Sequence, residues 1–245
     1  MKPFLLLQSR PEDEASDNEY EGFLRATGLQ SNELTRMRVE AAPLPEIRLE
    51  DYSAIIVGGG PFSTSDPEDS KSIIQRRLEA DFRRLLDEVV VKDFPFFGAC
   101  YGIGTLGAHQ GALISRKYGE NVAPVTITLS QAGSEDPLLA DMPRSFQAIA
   151  GHKEACEILP PNAVLLASSS ACPVQMFRIK NNLYATQFHP ELDLHGLAVR
   201  VGIYKHAGYF PPEDADKIIA QAETADLSQV ERILQNFVER YRREA

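Results

Sequence analysis

Cys100, in F-F-G-A-C-Y-G (Phe96 to Gly102), and His189 with Glu191, in Q-F-H-P-E (Gln187 to Glu191), are the residues whose types and spacing could do chemistry. A thiol, an imidazole and a carboxylate can form a nucleophile, its base and the group that orients the base. The pattern G-x-C-x-G after an apolar run and before a helix-like stretch predicts a tight bend that holds the sulfur exposed above a sheet. Gly98 and Gly102 permit that crowded turn.

The elements that must position these groups read as an α/β fold. Phe4 to Leu7 is a short apolar run of the kind buried in parallel sheets. An acidic loop, Glu12 to Glu19, leads to a short helix around Glu21 to Ala26, ended by Gly28, and a strand follows near Met37 to Val39. Ser53 to Val57 is an apolar strand running into Gly58, Gly59, Gly60 and Pro61. From Ser70 to Val90, Ile74, Leu78, Phe82, Leu85, Leu86 and Val89 recur at three and four positions, which predicts a helix packed on the sheet by one face. Phe94 to Phe97 is the next strand and delivers Cys100 to its carboxyl end, the edge where open parallel sheets bind ligands.

The later part reads as more antiparallel. Val122 to Leu129, Val164 to Ala167, Val174 to Ile179 and Leu183 to Gln187 are β-branched and aromatic runs separated by turn residues. His189 lies just past the last of them. At the C-terminus, Ser228 and Glu231 match a capping box ahead of the helical stripe Val230, Ile233, Leu234, Phe237, Val238 and Tyr241. Such a stripe reads as core packing, with a partner-binding face as the alternative.

Composition narrows the class. The 245 residues carry a net charge of −10, which opposes nucleic-acid backbones and anionic membranes and favours small molecules or proteins as partners. The three cysteines lack metal-type spacing and the N-terminus lacks a signal-peptide core, so a cytosolic chain with no metal and no cofactor is expected. Cys156 and Cys172 read as small buried hydrophobes. The glycines at 58–60 lack the Lys of a phosphate-binding loop.

V-G-G-G-P-F-S, G-A-C-Y-G and Q-F-H-P-E, in that order, resemble the class I glutamine amidotransferase domain, particularly that of GMP synthase. The resemblance implies a flavodoxin-like, open, mostly parallel sheet flanked by helices, with a smaller antiparallel β part. It covers residues 1–205, leaving 206–245 as a C-terminal helical extension packed on the same domain. It also implies that Cys100 attacks a side-chain amide to form a thioester. His189 protonates the departing ammonia and then activates water, and Glu191 holds the imidazole in the needed tautomer. Backbone N–H groups of Gly60 and Tyr101 are the implied oxyanion donors, each supporting about 3 kcal/mol of barrier lowering. Gly59, Gly104 and His152 are the implied substrate contacts, with a structural role as the alternative for His152, which is followed by Glu154.

One departure bears on substrate. The family places Gln four residues after the nucleophile, where this chain has Gly104. No synthetase domain is recognisable, so released ammonia would pass to a separate synthetase subunit or simply leave. Three readings follow: a free-standing hydrolase of glutamine, a γ-glutamyl peptidase acting on other γ-glutamyl amides, and a weakly active regulatory subunit. His109, His195 and His206 read as surface or packing residues.

Overall fold

A computed structural model describes residues 1–244 of the chain. Its first half runs β1 (Phe4–Gln8), α1 (Asp13–Thr27), β2 (Leu34–Arg38), β3 (Ile55–Val57), α2 (Ile73–Lys92), β4 (Phe96–Ala99) and α3 (Tyr101–His109). The β-rich middle follows: β5 (Leu113–Ser115), β6 (Glu120–Leu129), the short α4 (Gln131–Ser134), β7 (Ser145–His152), β8 (Ala155–Ile158), β9 (Ala163–Ser168), β10 (Met176–Ile179) and β11 (Leu183–Thr186). Three helices close the chain, α5 (Leu194–Ile203), α6 (Ala215–Glu223) and α7 (Arg232–Tyr241).

The main sheet has nine strands in the order β2-β1-β3-β4-β11-β10-β9-β6-β7. The first five pair in parallel and the remaining pairs are antiparallel. β5 and β8 form a separate antiparallel pair. The antiparallel strands thus extend the parallel sheet, and β11, reached through a hairpin, returns to lie beside β4 in parallel.

Apolar alternation decides which helix covers which face. Successive strand residues point to opposite faces, so Phe4 and Leu6 of β1 join one buried cluster while Leu5 and Leu7 join the other. The first cluster is closed by Phe23 of α1 and by Phe237 of α7; the second by Leu78, Phe82 and Leu86 of α2 and Leu106 of α3. Phe237 is fully buried and meets Phe97, Phe4 and Tyr241 at centroid distances of 5.5, 6.4 and 4.9 Å. The stripe Val230 to Tyr241 therefore packs into the core beside β1 and β4. A third cluster joins Ile149 of β7 to Leu197 and Val201 of α5, to Phe210, and to Ile218 of α6. No helix among the described residues is long and apolar enough to cross a membrane.

Three local expectations are corrected. The acidic stretch Glu12 to Glu19 is not a loop, since α1 begins at Asp13. Asp13 and Glu14 sit in the first turn, where the helix dipole favours negative charge. Ser16 and Glu19 are buried, facing Gln8 of β1. Ser228 does not cap α7: its hydroxyl donates to Asp226 at 2.6 Å, and the helix starts at Arg232 without a side-chain cap. The second strand is Leu34–Arg38 rather than Met37 to Val39.

Because Phe237 is enclosed by aromatic neighbours on two strands, Phe237→Ala leaves a cavity and should lower unfolding stability by about 3–5 kcal/mol. Urea denaturation followed by circular dichroism measures the loss.

Candidate active site

β4 ends at Ala99 and α3 begins at Tyr101, so the whole reversal falls on Cys100, with φ 52° and ψ −92°. A non-glycine residue there costs on the order of 1–3 kcal/mol and persists only where its surroundings enforce it. Cys100 N–H donates to Thr186 O of β11 at 2.8 Å. A Cβ on Gly98 would lie 2.8 Å from the backbone of Gly102. Gly98 is thus required for close approach of strand to helix, not for positive φ, whereas a Cβ on Gly102 would come no nearer than 3.5 Å to Val57. Cys100 is the only partly exposed cysteine among the described residues.

His189 arrives from the neighbouring strand. Phe188 is fully buried against Phe146 at 5.8 Å, which turns the adjacent imidazole toward the opening. His189 N–H donates to Ile149 O of β7 at 2.9 Å. The Nδ1 of His189 lies 2.9 Å from Oε1 of Glu191, leaving Nε2 for the Cys100 side. Arg200 of α5 donates from Nη1 to that same oxygen at 3.0 Å. Its 3.2 Å approach to Nδ1 follows from two donors converging on one acceptor.

The charges continue inward. Arg200 Nη2 lies 3.9 Å from Glu19 Oε1, which accepts from Arg10 Nε at 2.9 Å and from Gly59 N–H at 3.0 Å. Gln8 Nε2 donates to the other oxygen at 3.1 Å. Burial works against the His189 imidazolium, but the Glu191 carboxylate and the Cys100 sulfur outweigh it and hold the pKa at about 9. Burial likewise opposes the Glu191 carboxylate, and His189 and Arg200 overcome it, keeping Glu191 well below the usual carboxylate range.

Cys100 borders two hollows. One is bounded by Gly60, Tyr101, His152, Lys153, Glu154 and Gln187 among others; the second lies beside His189. Gly60 and Tyr209 also line both. The amides before the two candidate oxyanion donors are already committed, Cys100 N–H to Thr186 and Gly59 N–H to Glu19. Gly60 and Tyr101 carry the next amides along the chain. Gly59 lies behind the site, where a Cβ would meet Arg10 Nη2 at 2.5 Å and His189 Cε1 at 2.9 Å.

Gly104 lines neither hollow. A Cβ there would stand 2.8 Å from Thr64 Oγ1 and 2.9 Å from Glu154 Oε1. The Glu154 carboxylate accepts from the amides of Thr64 at 2.8 Å and Ser65 at 2.7 Å. The space beside position 104 thus belongs to Glu154 and Thr64. His152 is buried, with Nδ1 2.9 Å from Glu154 O and Nε2 3.0 Å from Glu120 Oε2. It braces the hollow's polar end.

Glu120, His152 and Cys172 bring ligand-type atoms within 4.8 Å of one another. Both imidazole nitrogens are engaged, the Cys172 thiol donates to Val174 O at 3.4 Å, and burial pushes that thiol up to about 12, so each group is already committed in the fold. Burial also raises Cys156, to about 11. His109 pairs with Asp87 at 2.9 Å, and His195 and His206 line neither hollow. Arg10, Glu19 and Arg200 fall outside the sequence motifs. Their only sequence signal is charge beside apolar strand and helix residues, which many solvated faces share.

A cysteine at a strained strand-to-helix bend, facing an imidazole–carboxylate pair at the carboxyl edge of an open α/β sheet, defines a cysteine amidohydrolase of the α/β type. The family model of glutamine amidotransferase class-I matches residues 17–197, and the chain belongs to that family.

The relatives differ in how much of the chain they share. The chain is 26% identical over 250 residues to gamma-glutamyl peptidase 4 of Arabidopsis thaliana, covering 98% of the chain and 96% of that protein. It is 30% identical over 152 residues to a glutamine-hydrolyzing GMP synthase subunit of Methanocaldococcus jannaschii, covering 61% of the chain and 71% of the relative. With the GMP synthase of Salmonella typhimurium it shares 32% over 155 residues, 60% of the chain but 27% of that enzyme. The chain thus spans about a quarter of such full-length synthases. A solved glutamine amidotransferase from Thermotoga maritima superposes with a TM-score of 0.79 at 20% identity, covering 98% of each chain.

The His189 charge depends on Glu191, so in Glu191→Gln its pKa should fall from about 9. The raised value stabilises the fold fully below the unfolded value of 6.5, and that contribution disappears as pH rises through 9. NMR titration of nitrogen-labelled histidine in both proteins reads the shift, and thermal melts across the same range should show the wild type losing stability toward pH 9.

Proposed function

We propose that the chain hydrolyses the amide of a γ-glutamyl group through a thioester on Cys100, glutamine being the smallest such substrate. The observation that carries this reading is the His189–Glu191 pair at 2.9 Å facing the Cys100 sulfur. The thiolate adds to the γ-carbonyl carbon, and the oxyanion lies against the amides of Gly60 and Tyr101. The C–N bond breaks as His189 delivers its proton to the leaving nitrogen. Water then attacks the thioester, its proton passes to His189, and glutamate departs.

The polar hollow suits the glutamyl end. Glu154 supplies a carboxylate for an α-ammonium. Lys153 is half-buried over the Tyr209 ring at 4.5 Å and supplies a cation for an α-carboxylate. Burial lowers the Lys153 pKa from its ordinary value, with Arg116 adding to the effect. Free thiols at all three cysteines support a cytosolic setting.

Two fates for the nitrogen are consistent with the relatives. In the first, a separate synthetase subunit receives ammonia; the Methanocaldococcus jannaschii relative is itself one subunit of a GMP synthase. The second reading, a γ-glutamyl peptidase, is favoured by near full-length similarity to the Arabidopsis thaliana peptidase and by Gly104 in place of the expected Gln.

Incubation with a diazo-ketone analogue of glutamine should label Cys100, located by mass spectrometry. Glutamate release from glutamine and from γ-glutamyl amides should fall by about four orders of magnitude or more in Cys100→Ala. Equal rates in wild type and Cys100→Ala would overturn the reading.

A further inference from the structure

The hollow beside His189 is distinct from the polar one that takes the glutamyl end in the proposed reaction. Val122 of β6, Ile149 of β7, Leu197 and Val201 of α5, and Tyr209 and Phe210 form its walls, around a cavity of about 50 Å³ measured as the space open to the centres of water-sized molecules. Its two guanidinium groups are held by buried carboxylates, with Nε and Nη2 of Arg200 buried and without a hydrogen-bond partner. Arg10 is bound to Glu19 at 2.9 Å and to the Tyr204 hydroxyl at 3.2 Å, and Arg200 to Glu191 at 3.0 Å. What remains toward Cys100 is mostly carbon.

Reaction geometry decides what occupies it. The leaving nitrogen must lie next to its proton donor, so the amine part of the substrate sits on the His189 side. Cys100 and Gly60 border both hollows, which puts the scissile carbonyl at their seam. Tyr209 is the partition: it lines both, and its hydroxyl donates to Gly60 O at 3.3 Å. A water-sized molecule takes ~10–15 Å³ on this measure, so ammonia alone would leave most of the cavity unfilled. Tyr204, Tyr209 and Phe210 lie beyond residue 197, where the family match ends.

We infer that this hollow is the subsite for the amine part of the substrate, and that it selects γ-glutamyl amides of apolar alkyl or aryl amines over glutamine. The inference rests on the γ-glutamyl hydrolase reading above. Such an amine buries its carbon against α5, β7 and the partition tyrosine, takes the His189 proton as the C–N bond breaks, and leaves through the open side.

The test is glutamate release by the full chain from glutamine and from γ-glutamyl methylamide, n-butylamide and benzylamide. Each buried methylene, at ~0.8 kcal/mol, should raise kcat/KM by roughly fourfold, so the butylamide should exceed the methylamide by about tenfold or more. Val122→Phe and Val201→Phe, two independent fillings of the hollow, should each cut that butyl-to-methyl ratio by about tenfold. An unchanged ratio in a variant shown to be folded by circular dichroism overturns the assignment. So does a wild-type series that is flat or falls with amine size, which would make the hollow an exit for ammonia. Hydrolysis without size preference sinks this inference alone. No glutamate from any member, with Cys100 unlabelled by the diazo-ketone, sinks the hydrolase reading as well.

Discussion

A fully buried carboxylate, Glu191, is the constraint around which the site is arranged. An ionised group in that position is tolerable only with close partners, and it has two, His189 and Arg200. Arg200 in turn is buried and needs a counter-charge beyond Glu191, which Glu19 supplies, and Glu19 is shared with Arg10. Four charges of alternating sign therefore join the segment after β1, α1, α5 and the turn after β11. Glu19 also accepts the Gly59 amide. The network that fixes the imidazole thus fixes the loop carrying Gly60.

The sheet brings the two halves of the chemistry together. β4 and β11 are parallel neighbours, with Ala99 opposite Thr186. The nucleophile follows the first and the imidazole follows the second, so both emerge at one edge although many residues separate them in sequence. β7 adds a clamp on the His189 amide through Ile149. Three residues on, its last residue is His152, which braces Glu154, so one strand helps fix both the imidazole and the polar hollow.

Legibility in the sequence follows the physics of each segment. Buried parallel strands such as Phe4–Gln8 and the long helix Ile73–Lys92 declare themselves by apolar runs and spacing. The two motifs mark Cys100, His189 and Glu191 because tight turns and reactive groups leave few residue choices. β7 escapes a pattern reading because S-F-Q-A-I-A-G-H mixes small and polar residues and is stabilised by pairing with β6 rather than by its own pattern. Only the second half of α1 is legible because its acidic first half looks solvated, whereas Ser16 and Glu19 are buried against polar partners. Arg200 has no local signature, since its role exists only once α5 folds over Glu191.

The meaning of Gly104 lies in three dimensions rather than in its identity. A longer side chain there would collide with Glu154 and Thr64, and Glu154 is fixed by two backbone amides of the 63–65 loop. The chain therefore offers a carboxylate held from the opposite wall where the family pattern has a neutral amide on the helix. In the proposed reaction the strained cysteine, its imidazole and the amides of Gly60 and Tyr101 act on any γ-glutamyl carbonyl alike. In that reaction, discrimination between amides would arise where the substrates differ, at the nitrogen and beyond it, on the His189 side lined by α5 and the segment after it. On the proposed reading, the motif residues carry the reaction, and the hollow walled by β6, β7, α5 and the segment after it carries the choice of amine.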